Sequence, residues 1–224
     1  MNEKTESCGK SPLVLCLTNS VAANFTANCL LAVGARPAMV EEPAEAEELA
    51  VAADAMLINV GMVHVRQAEA MLRAAKAAAR AGTPWVLDPV GVQFLGYRRE
   101  LVRELIALKP SLIRGNREEI DFLGETGVVT LATGGTDRIF GGSGGQSDVR
   151  SVSGGVPLLQ AVTATGCAQG GICAAFLGRG LDPLEAALAA SSLMKRAGER
   201  AWERAQAPGS FQIALIDALW QLNA

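Results

Sequence analysis

The sequence predicts an α/β protein with a mostly parallel central sheet, and three observations support this. Short apolar runs alternate with longer alanine-rich stretches of helical periodicity, the order expected of repeated β-α-β units. The short runs are continuously apolar, as in strands whose two faces are both covered by helices. Because 50% of the 224 residues are hydrophobic but only 4% are aromatic, small aliphatic side chains must fill the core.

Strands and helices are predicted in strict alternation over the first 131 residues. The predicted strands are Leu13–Leu17, Pro37–Val40, Met56–Val60, Trp85–Asp88, Ser111–Arg114 and Val128–Leu131. The predicted helices between them are Ala22–Val33, Pro43–Ala53, Arg66–Ala81, Arg98–Leu108 and Arg117–Leu123. This alternation is typical of one α/β layer structure.

The second half of the chain has a different pattern. Residues Gly141–Gly155 open with a run of glycine and serine, which predicts a flexible turn between two short strands. Beyond it, helices are predicted at Cys167–Leu177, Pro183–Ala205 and Ser210–Leu222. A chain of this length fits one α/β domain, so we expect a single domain over residues 1–224.

Charge and composition exclude several classes of function. The net charge is −3 and no basic block occurs, which argues against nucleic acid or an anionic membrane as a partner. The five cysteines lack metal-site spacing, and a single histidine, His64, excludes a histidine-rich zinc centre. We find no secretory or membrane-spanning segment and expect a cytoplasmic protein with reduced thiols.

The segment Val162-Thr-Ala-Thr-Gly-Cys-Ala-Gln-Gly-Gly171 is the most informative stretch of the chain. A small-residue loop that opens a helix leaves backbone N–H groups free, and together with the helix dipole they can bind an anion such as phosphate. The same field would stabilise a thiolate at Cys167. The alternative is an ordinary helix cap above a packed cysteine.

Charged side chains end two neighbouring predicted strands. Asp88 ends one strand, Arg114 ends the next, and Glu119 follows shortly after. Ligands bind at the carboxyl ends of strands in open parallel sheets, so these groups could form a site for Mg²⁺ and a nucleotide. Alternatively, Asp88 and Arg114 form a salt bridge, while Asn116 and Glu119 form a helix capping box.

Other catalytic motifs are missing from the sequence. Neither Gly-x-x-x-x-Gly-Lys-Ser/Thr nor a dinucleotide-binding Gly-x-Gly-x-x-Gly after the first strand is present. The Gly-x-Ser-x-Gly match at Gly141–Gly145 lies in the flexible piece rather than on a tight strand-to-helix turn. His64 precedes an amphipathic helix, so we interpret it as a surface or capping residue.

Two features near the N-terminus could bind a small molecule. The run from Asn19 to Asn28 contains three asparagines and a threonine, which hydrogen-bond polar ligands but also cap helices. Met39, at the end of the second strand, could pack on a flat ligand or fill the core.

Taken together, these motifs resemble the hydroxyethylthiazole kinase family of the ribokinase-like superfamily over most of the chain. The resemblance rests on Leu17-Thr-Asn-Ser-Val, Asn24-Phe-Thr-Ala-Asn28, Gly34-Ala-Arg-Pro-Ala-Met39, Ala53-Asp-Ala-Met-Leu-Ile-Asn-Val-Gly61, Leu87-Asp-Pro-Val-Gly91, Leu108-Lys-Pro-Ser-Leu-Ile-Arg-Gly-Asn116 and Val162-Thr-Ala-Thr-Gly-Cys167. It implies a three-layer α/β/α fold. It also implies transfer of the ATP γ-phosphate to the alcohol of 4-methyl-5-(2-hydroxyethyl)thiazole, in thiamine biosynthesis or salvage.

The resemblance assigns a role to each polar residue at the predicted strand ends. Arg114 and Thr133 match nucleotide-binding positions, and Asp88 and Glu119 match the acidic residues near Mg²⁺. Cys167 matches the position of the aspartate base in related sugar kinases. It would orient the alcohol or accept its proton, and as a thiol it would be a mediocre base.

The resemblance also implies a substrate side and an assembly. Met39 and Ala164 match positions that line the thiazole site, and Asn19 belongs to the same side. The family is typically a homotrimer with sites at the subunit interfaces, so a homotrimer is implied here.

Four departures from the family pattern leave alternatives open. Ala164 replaces a usual glycine, the 123–128 segment is shortened by about one helix, Met62 replaces a threonine, and larger residues follow Gly91. The protein could therefore be a weakened or inactive thiazole- or nucleotide-binding paralogue. It could also act on another small alcohol, or resemble an ATP-dependent dehydratase.

Overall fold

The computed structural model describes residues 11–141 and 149–223, and these contain one sheet of eight strands in the order β2-β1-β3-β4-β5-β6-β7-β8. The strands are β1 (Leu13–Leu17), β2 (Arg36–Met39), β3 (Ala55–Asn59), β4 (Trp85–Asp88), β5 (Leu112–Asn116), β6 (Val129–Thr133), β7 (Asp137–Phe140) and β8 (Arg150–Val152). The first six pair in parallel, and the pairings β6–β7 and β7–β8 are antiparallel. The mostly parallel sheet is therefore confirmed.

Helices connect the strands and complete the fold. They are α1 (Ser20–Ala32), α2 (Pro43–Ala52), α3 (Val65–Ala81), α4 (Gly96–Ala107), α5 (Arg117–Leu123), α6 (Leu158–Ala161), α7 (Thr165–Gly178), α8 (Pro183–Trp202) and α9 (Pro208–Asn223). No helix among these is long and apolar enough to cross a membrane in the part of the chain described.

Helices cover both faces of the sheet, which explains the continuously apolar strands. Val14 and Cys16 point into a core shared with α1, α7, α8 and α9. Leu15 and Leu17 point into a second core shared with α2, α3, α4 and α5. The expected three-layer α/β/α arrangement is confirmed.

The predicted elements agree with the structure to within three residues at each end. The main differences are that β5 and β6 run two residues further, and that α7 begins at Thr165 instead of Cys167. The short helix α6 was not predicted, because four residues show no helical period. Two short strands flank the glycine-rich turn as expected, while the turn itself (142–148) lies outside the described residues.

Helix α7 brings its N-terminus to the carboxyl edge of the sheet. It packs on β1, β3 and β4 on one side and on α1 and α8 on the other. Most of its residues are small, and nine of its fourteen are buried, so it approaches the sheet closely. Its first turn consequently lies next to the ends of β4 and β5, where the predicted polar residues are located.

Replacing Asp182 by alanine tests the start of α8. The Asp182 side chain accepts hydrogen bonds from the Leu184 and Glu185 amides at 2.9 and 3.0 Å, so the substitution should lower the free energy of unfolding by about 1 kcal/mol. Urea denaturation measures the change. Asp217→Ala, at an exposed position within α9, is the control and should be close to neutral. Equal losses in both variants would contradict a capping role.

Candidate active site

A cavity of about 610 Å³ opens where the ends of β5 and β6 meet the first turn of α7. Six of the residues that line it are Arg114, Glu119, Thr133, Ala164, Cys167 and Lys195. Asp88 lies directly behind this wall and is fully buried. The structure therefore brings together six of the eight residues predicted for the site: Asp88, Arg114, Glu119, Thr133, Ala164 and Cys167.

Arg114 is the central cation of the site and is almost fully buried. Its Nη1 lies 3.7 Å from Asp88 Oδ2, which makes the predicted salt bridge. Its Nη2 donates to Thr133 Oγ1 at 2.9 Å and to Gln169 Oε1 at 3.4 Å. The guanidinium is thus fixed in orientation from three sides by β4, β6 and α7.

Asp88 has one engaged carboxylate oxygen and one free one. Oδ2 accepts a hydrogen bond from Asn59 Nδ2 at 2.7 Å, whereas Oδ1 has no hydrogen-bond partner among the described residues. Burial raises the pKa of this carboxyl to about 7, and Glu119 adds to the rise, while Arg114 and the Asn59 hydrogen bond oppose it. A buried free oxygen of this kind is a natural ligand for a cation.

Asn59 connects the two ends of the site, and the sequence analysis did not assign it a role. Its Nδ2 donates to both Asp88 Oδ2 and Cys167 Sγ (3.1 Å), and its Oδ1 accepts from Asn19 Nδ2 and the Gly61 amide, both at 3.0 Å. Asn59 ends β3 beside Asp88. The strand-end rule that selected Asp88 did not select Asn59, because the predicted strand ran on to Val60, whereas β3 ends at Asn59.

Cys167 lies in the first turn of α7, but its thiol is not acidic. Burial raises its pKa to about 12, with a further contribution from Asp88, against the opposing effects of Arg114, Asn59 and Asn19. The expectation that the helix dipole would stabilise a thiolate is therefore wrong. Loss of hydration and the nearby Asp88 carboxylate outweigh the groups that favour the thiolate, Arg114, Asn59 and Asn19.

Glu119 forms the predicted capping box. The Asn116 amide donates to Glu119 Oε2 at 2.8 Å, and the Glu119 amide donates to Asn116 Oδ1 at 2.9 Å. The other oxygen, Oε1, accepts from the Gly91 amide at 2.8 Å. Glu119 thus ties the loop after β4 to the start of α5, with a hydrogen bond to each of its carboxylate oxygens.

The first turn of α7 presents its backbone N–H groups without a side-chain cap. The N-cap residue, Ala164, has a φ of 67° and no side-chain oxygen. The Thr165 hydroxyl points away and donates to Leu159 O at 2.6 Å. Arg114 lies so close below this turn that a Cβ at position 166 would come within 2.5 Å of its Nη1. Free amides and a guanidinium together form an anion-binding wall.

The residues predicted to bind the substrate do not all lie in the cavity. Asn19 caps α1 through the Ala22 amide (2.9 Å), and its Nδ2 donates to Asn59 Oδ1 (3.0 Å), so it lies next to the Asn59–Cys167 contact. Met39 ends the edge strand β2, is 38% exposed, and does not line the cavity of this single chain. His64 caps α3 by accepting from the Gln67 amide at 3.3 Å, as predicted.

A second buried cluster on the far wall of the cavity was missed by the sequence analysis. Asp137 accepts from Ser191 Oγ at 2.6 Å and from Gln169 Nε2 at 3.2 Å, and lies 3.3 Å from Lys195 Nζ. Gln169 also contacts Arg114, so the two clusters are continuous. Asp137, Ser191 and Lys195 stand outside the segments singled out in the sequence and are far apart along the chain, so no local pattern groups them with Gln169.

This architecture belongs to a known class of α/β proteins. A ribokinase-like superfamily protein from Enterococcus faecalis has the same fold, with a TM-score of 0.66 at 15% identity over 93% of this chain and 86% of that chain. At such low identity, the likeness concerns the fold alone.

Closer relatives define the family. The model of the hydroxyethylthiazole kinase family matches residues 6–126 and 123–224. A hydroxyethylthiazole kinase from Citrobacter koseri is 44% identical over 241 residues, covering 96% of this chain and 90% of its own. The structure of the Pyrococcus horikoshii hydroxyethylthiazole kinase protein gives a TM-score of 0.88 at 32% identity, covering 94% and 88% of the two chains. The chain belongs to the hydroxyethylthiazole kinase family and is a kinase.

Gly166→Ala tests the close approach of Arg114 to α7. The new Cβ would meet the buried guanidinium at 2.5 Å, so Arg114 must shift, and we expect kcat/KM for ATP to fall at least about tenfold. Steady-state kinetics measures this loss. Gly209→Ala, at the equivalent second position of α9 with nothing within 4 Å, should be harmless. Unchanged kinetics in both variants would contradict the packing described.

Ala164→Gly tests the strained N-cap. A left-handed conformation costs a non-glycine residue about 1–2 kcal/mol, so the change should not lower the free energy of unfolding and should raise kcat/KM by removing a methyl from the cavity. Ala79→Gly, exposed within α3, should instead lose about 0.5–1 kcal/mol. Urea denaturation and kinetics measure both variants, and equal destabilisation would show that Ala164 is not strained.

Proposed function

We propose that the protein transfers the γ-phosphate of ATP to the hydroxyl of 4-methyl-5-(2-hydroxyethyl)thiazole. The observation that carries the proposal is the anion-binding wall, formed by Arg114 and the amides of Thr165, Gly166 and Cys167, beside the free oxygen of Asp88. Phosphoryl transfer needs accurate positioning and neutralisation of negative charge more than covalent participation by the protein. Membership of the kinase family supplies the choice of substrate.

The nucleotide would lie in the cavity with its phosphates toward α7. Arg114 would offset the triphosphate charge, and Thr133, already bonded to Arg114, would line the approach. Both residues are therefore proposed as nucleotide-binding residues. Because Arg114 is held by Asp88, Thr133 and Gln169, little side-chain freedom is lost when a phosphate binds.

The site fits Mg²⁺ bound mainly through phosphate and water. No three acidic, cysteine or histidine side chains cluster as a metal site in residues 11–141 and 149–223. Asp88 Oδ1 is free to act as a ligand, while both Glu119 oxygens already accept hydrogen bonds and would contact the ion through water. Mg²⁺ commonly binds through one or two carboxylates plus substrate phosphates, where it neutralises developing charge.

Cys167 would position the substrate alcohol rather than act as a strong base. A thiol with a pKa of about 12 stays protonated near neutral pH, so it can donate a hydrogen bond to the hydroxyl or accept one from it. Asn59 fixes the sulfur relative to Asp88. This role suits a loose transition state, in which proton removal from the alcohol is not far advanced.

The substrate site is proposed to include Met39, Asn19 and Ala164 and to be completed in a homotrimer. Met39 lies on the exposed edge strand β2, away from the cavity of its own chain. In the proposed homotrimer, Met39 of one copy would lie beside Ala164 of the adjacent copy. We also propose that residues 1–224 form one kinase domain with a shortened 123–128 connection.

A direct assay tests the proposed function. The purified protein is mixed with Mg²⁺-ATP and the hydroxyethyl thiazole, and ADP and thiazole phosphate are followed by mass spectrometry. We expect thiazole phosphate over many turnovers and no product from the matched 5-ethyl thiazole, which lacks the hydroxyl. A folded protein that binds ATP but makes no thiazole phosphate would overturn the proposal.

Cys167→Ala separates chemistry from nucleotide binding. Removing a group that positions the alcohol should lower kcat at least about tenfold while the Kd for Mg²⁺-ATP changes by less than about twofold. Cys173→Ala, in the buried part of the same helix, is the matched control and should keep its kcat. If Cys167→Ala weakened ATP binding as much as it lowered kcat, a role in the chemical step would be excluded.

A further inference from the structure

Lys195 places a buried ammonium group in an oxygen-lined site at the far wall of the cavity. The residue is 6% exposed. Its Nζ donates to the carbonyl oxygens of Gly134 and Gly135 at 3.1 Å and of Gly154 at 3.2 Å, and lies 3.3 Å from Asp137 Oδ1. Three carbonyls and a carboxylate surround the charge, much as oxygen ligands surround a bound cation.

The hydrogen bonds of Lys195 define what this residue can do. An ammonium group has three N–H donors, and three backbone carbonyls occupy all of them. The Lys195 ammonium therefore has no N–H donor left for a ligand, even though the residue lines the cavity proposed for the nucleotide. Its contacts point to positioning rather than to direct phosphate binding.

The segment that Lys195 holds is the turn between β6 and β7. This turn follows Thr133, whose hydroxyl accepts from Arg114 and donates to Gly115 O at 3.1 Å. At its other end, Asp137 accepts from the Gly134 amide at 3.0 Å and from Gln169, which also contacts Arg114. Lys195 thus fixes the β6–β7 turn to α8. One end of this turn, Thr133, contacts Arg114 directly, and the other end, Asp137, contacts it through Gln169.

We propose that Lys195 is a positioning residue for the nucleotide, in that its ammonium holds the β6–β7 turn so that Thr133 and Arg114 stay aligned for ATP. The proposal rests on the proposed function, since it assigns ATP to this cavity. It has a specific chemical consequence. If the Lys195 side chain is shortened to that of alanine, the oxygen-lined site remains and a small alkylammonium ion can bind in it.

Lys195→Ala with chemical rescue tests this role. The atoms removed correspond to n-propylammonium, which should bind the vacated site and donate to the same carbonyls. We expect the Kd and KM for Mg²⁺-ATP to rise at least about tenfold, which is about 1.4 kcal/mol, with a much smaller change in kcat. Propylammonium chloride should reverse most of the rise, whereas choline chloride at equal ionic strength, lacking N–H donors, should not.

Two further variants keep the test decisive. Arg196→Ala, the exposed neighbour on α8, should leave ATP binding unchanged. Lys195→Met keeps the volume of the stem without the charge, so it should show the same rise in Kd but no rescue, because the stem blocks the site. If Lys195→Ala is poorly folded, the same rescue should appear as a rise in its melting temperature with propylammonium and not with choline.

The outcomes distinguish this inference from the proposed function. Unchanged ATP binding in folded Lys195→Ala and Lys195→Met, a loss confined to kcat, or equal effects of propylammonium and choline would each overturn the inference. A wild-type protein that binds Mg²⁺-ATP but makes no thiazole phosphate would overturn the proposed function alone, since the Kd measurements still decide the role of Lys195. A wild type that binds no Mg²⁺-ATP would overturn both.

Discussion

The site depends on the ion pair between Arg114 and Asp88 at the ends of two adjacent parallel strands. Both groups are buried, and buried charges are costly unless they are paired and hydrogen-bonded. The surrounding residues meet this requirement: Asn59 donates to Asp88, while Thr133 and Gln169 accept from Arg114. The constraint also reaches α7, because the guanidinium leaves room only for glycine at position 166.

This arrangement explains how a small α/β protein can bind a polyanion and still use a weakly acidic thiol. The pair leaves one Asp88 oxygen free and presents a fixed guanidinium below the amides of α7. The Arg114 guanidinium and the amides of α7 therefore face the cavity, while the Asp88 carboxylate lies behind its wall. The same burial raises the pKa of both Asp88 and Cys167, which favours positioning of the alcohol over direct proton abstraction.

The sequence predicted those parts of the site that follow from local pattern. Asp88 and Arg114 end apolar strands, and ligands bind at the carboxyl ends of parallel strands. Asn116 and Glu119 have the spacing of a helix capping box. These two patterns were enough to identify the four residues. The cluster of Asp137, Gln169 and Lys195 could not be found this way, because its members come from β7, α7 and α8 and meet only in the tertiary structure. The acidity of Cys167 was mispredicted, because burial is a property of the tertiary structure.

The proposed arrangement of the site is tested most directly by a crystal structure with Mg²⁺, a non-hydrolysable ATP analogue and the hydroxyethyl thiazole. We expect the phosphates to lie between the Arg114 guanidinium and the first-turn amides of α7. We also expect the metal ion to contact Asp88 Oδ1 and the thiazole hydroxyl to lie next to Cys167. A nucleotide bound instead in a second cavity, lined by Arg138 and Phe140, would contradict this arrangement. In that case Arg114 would keep its ion pair with Asp88 and contact no phosphate.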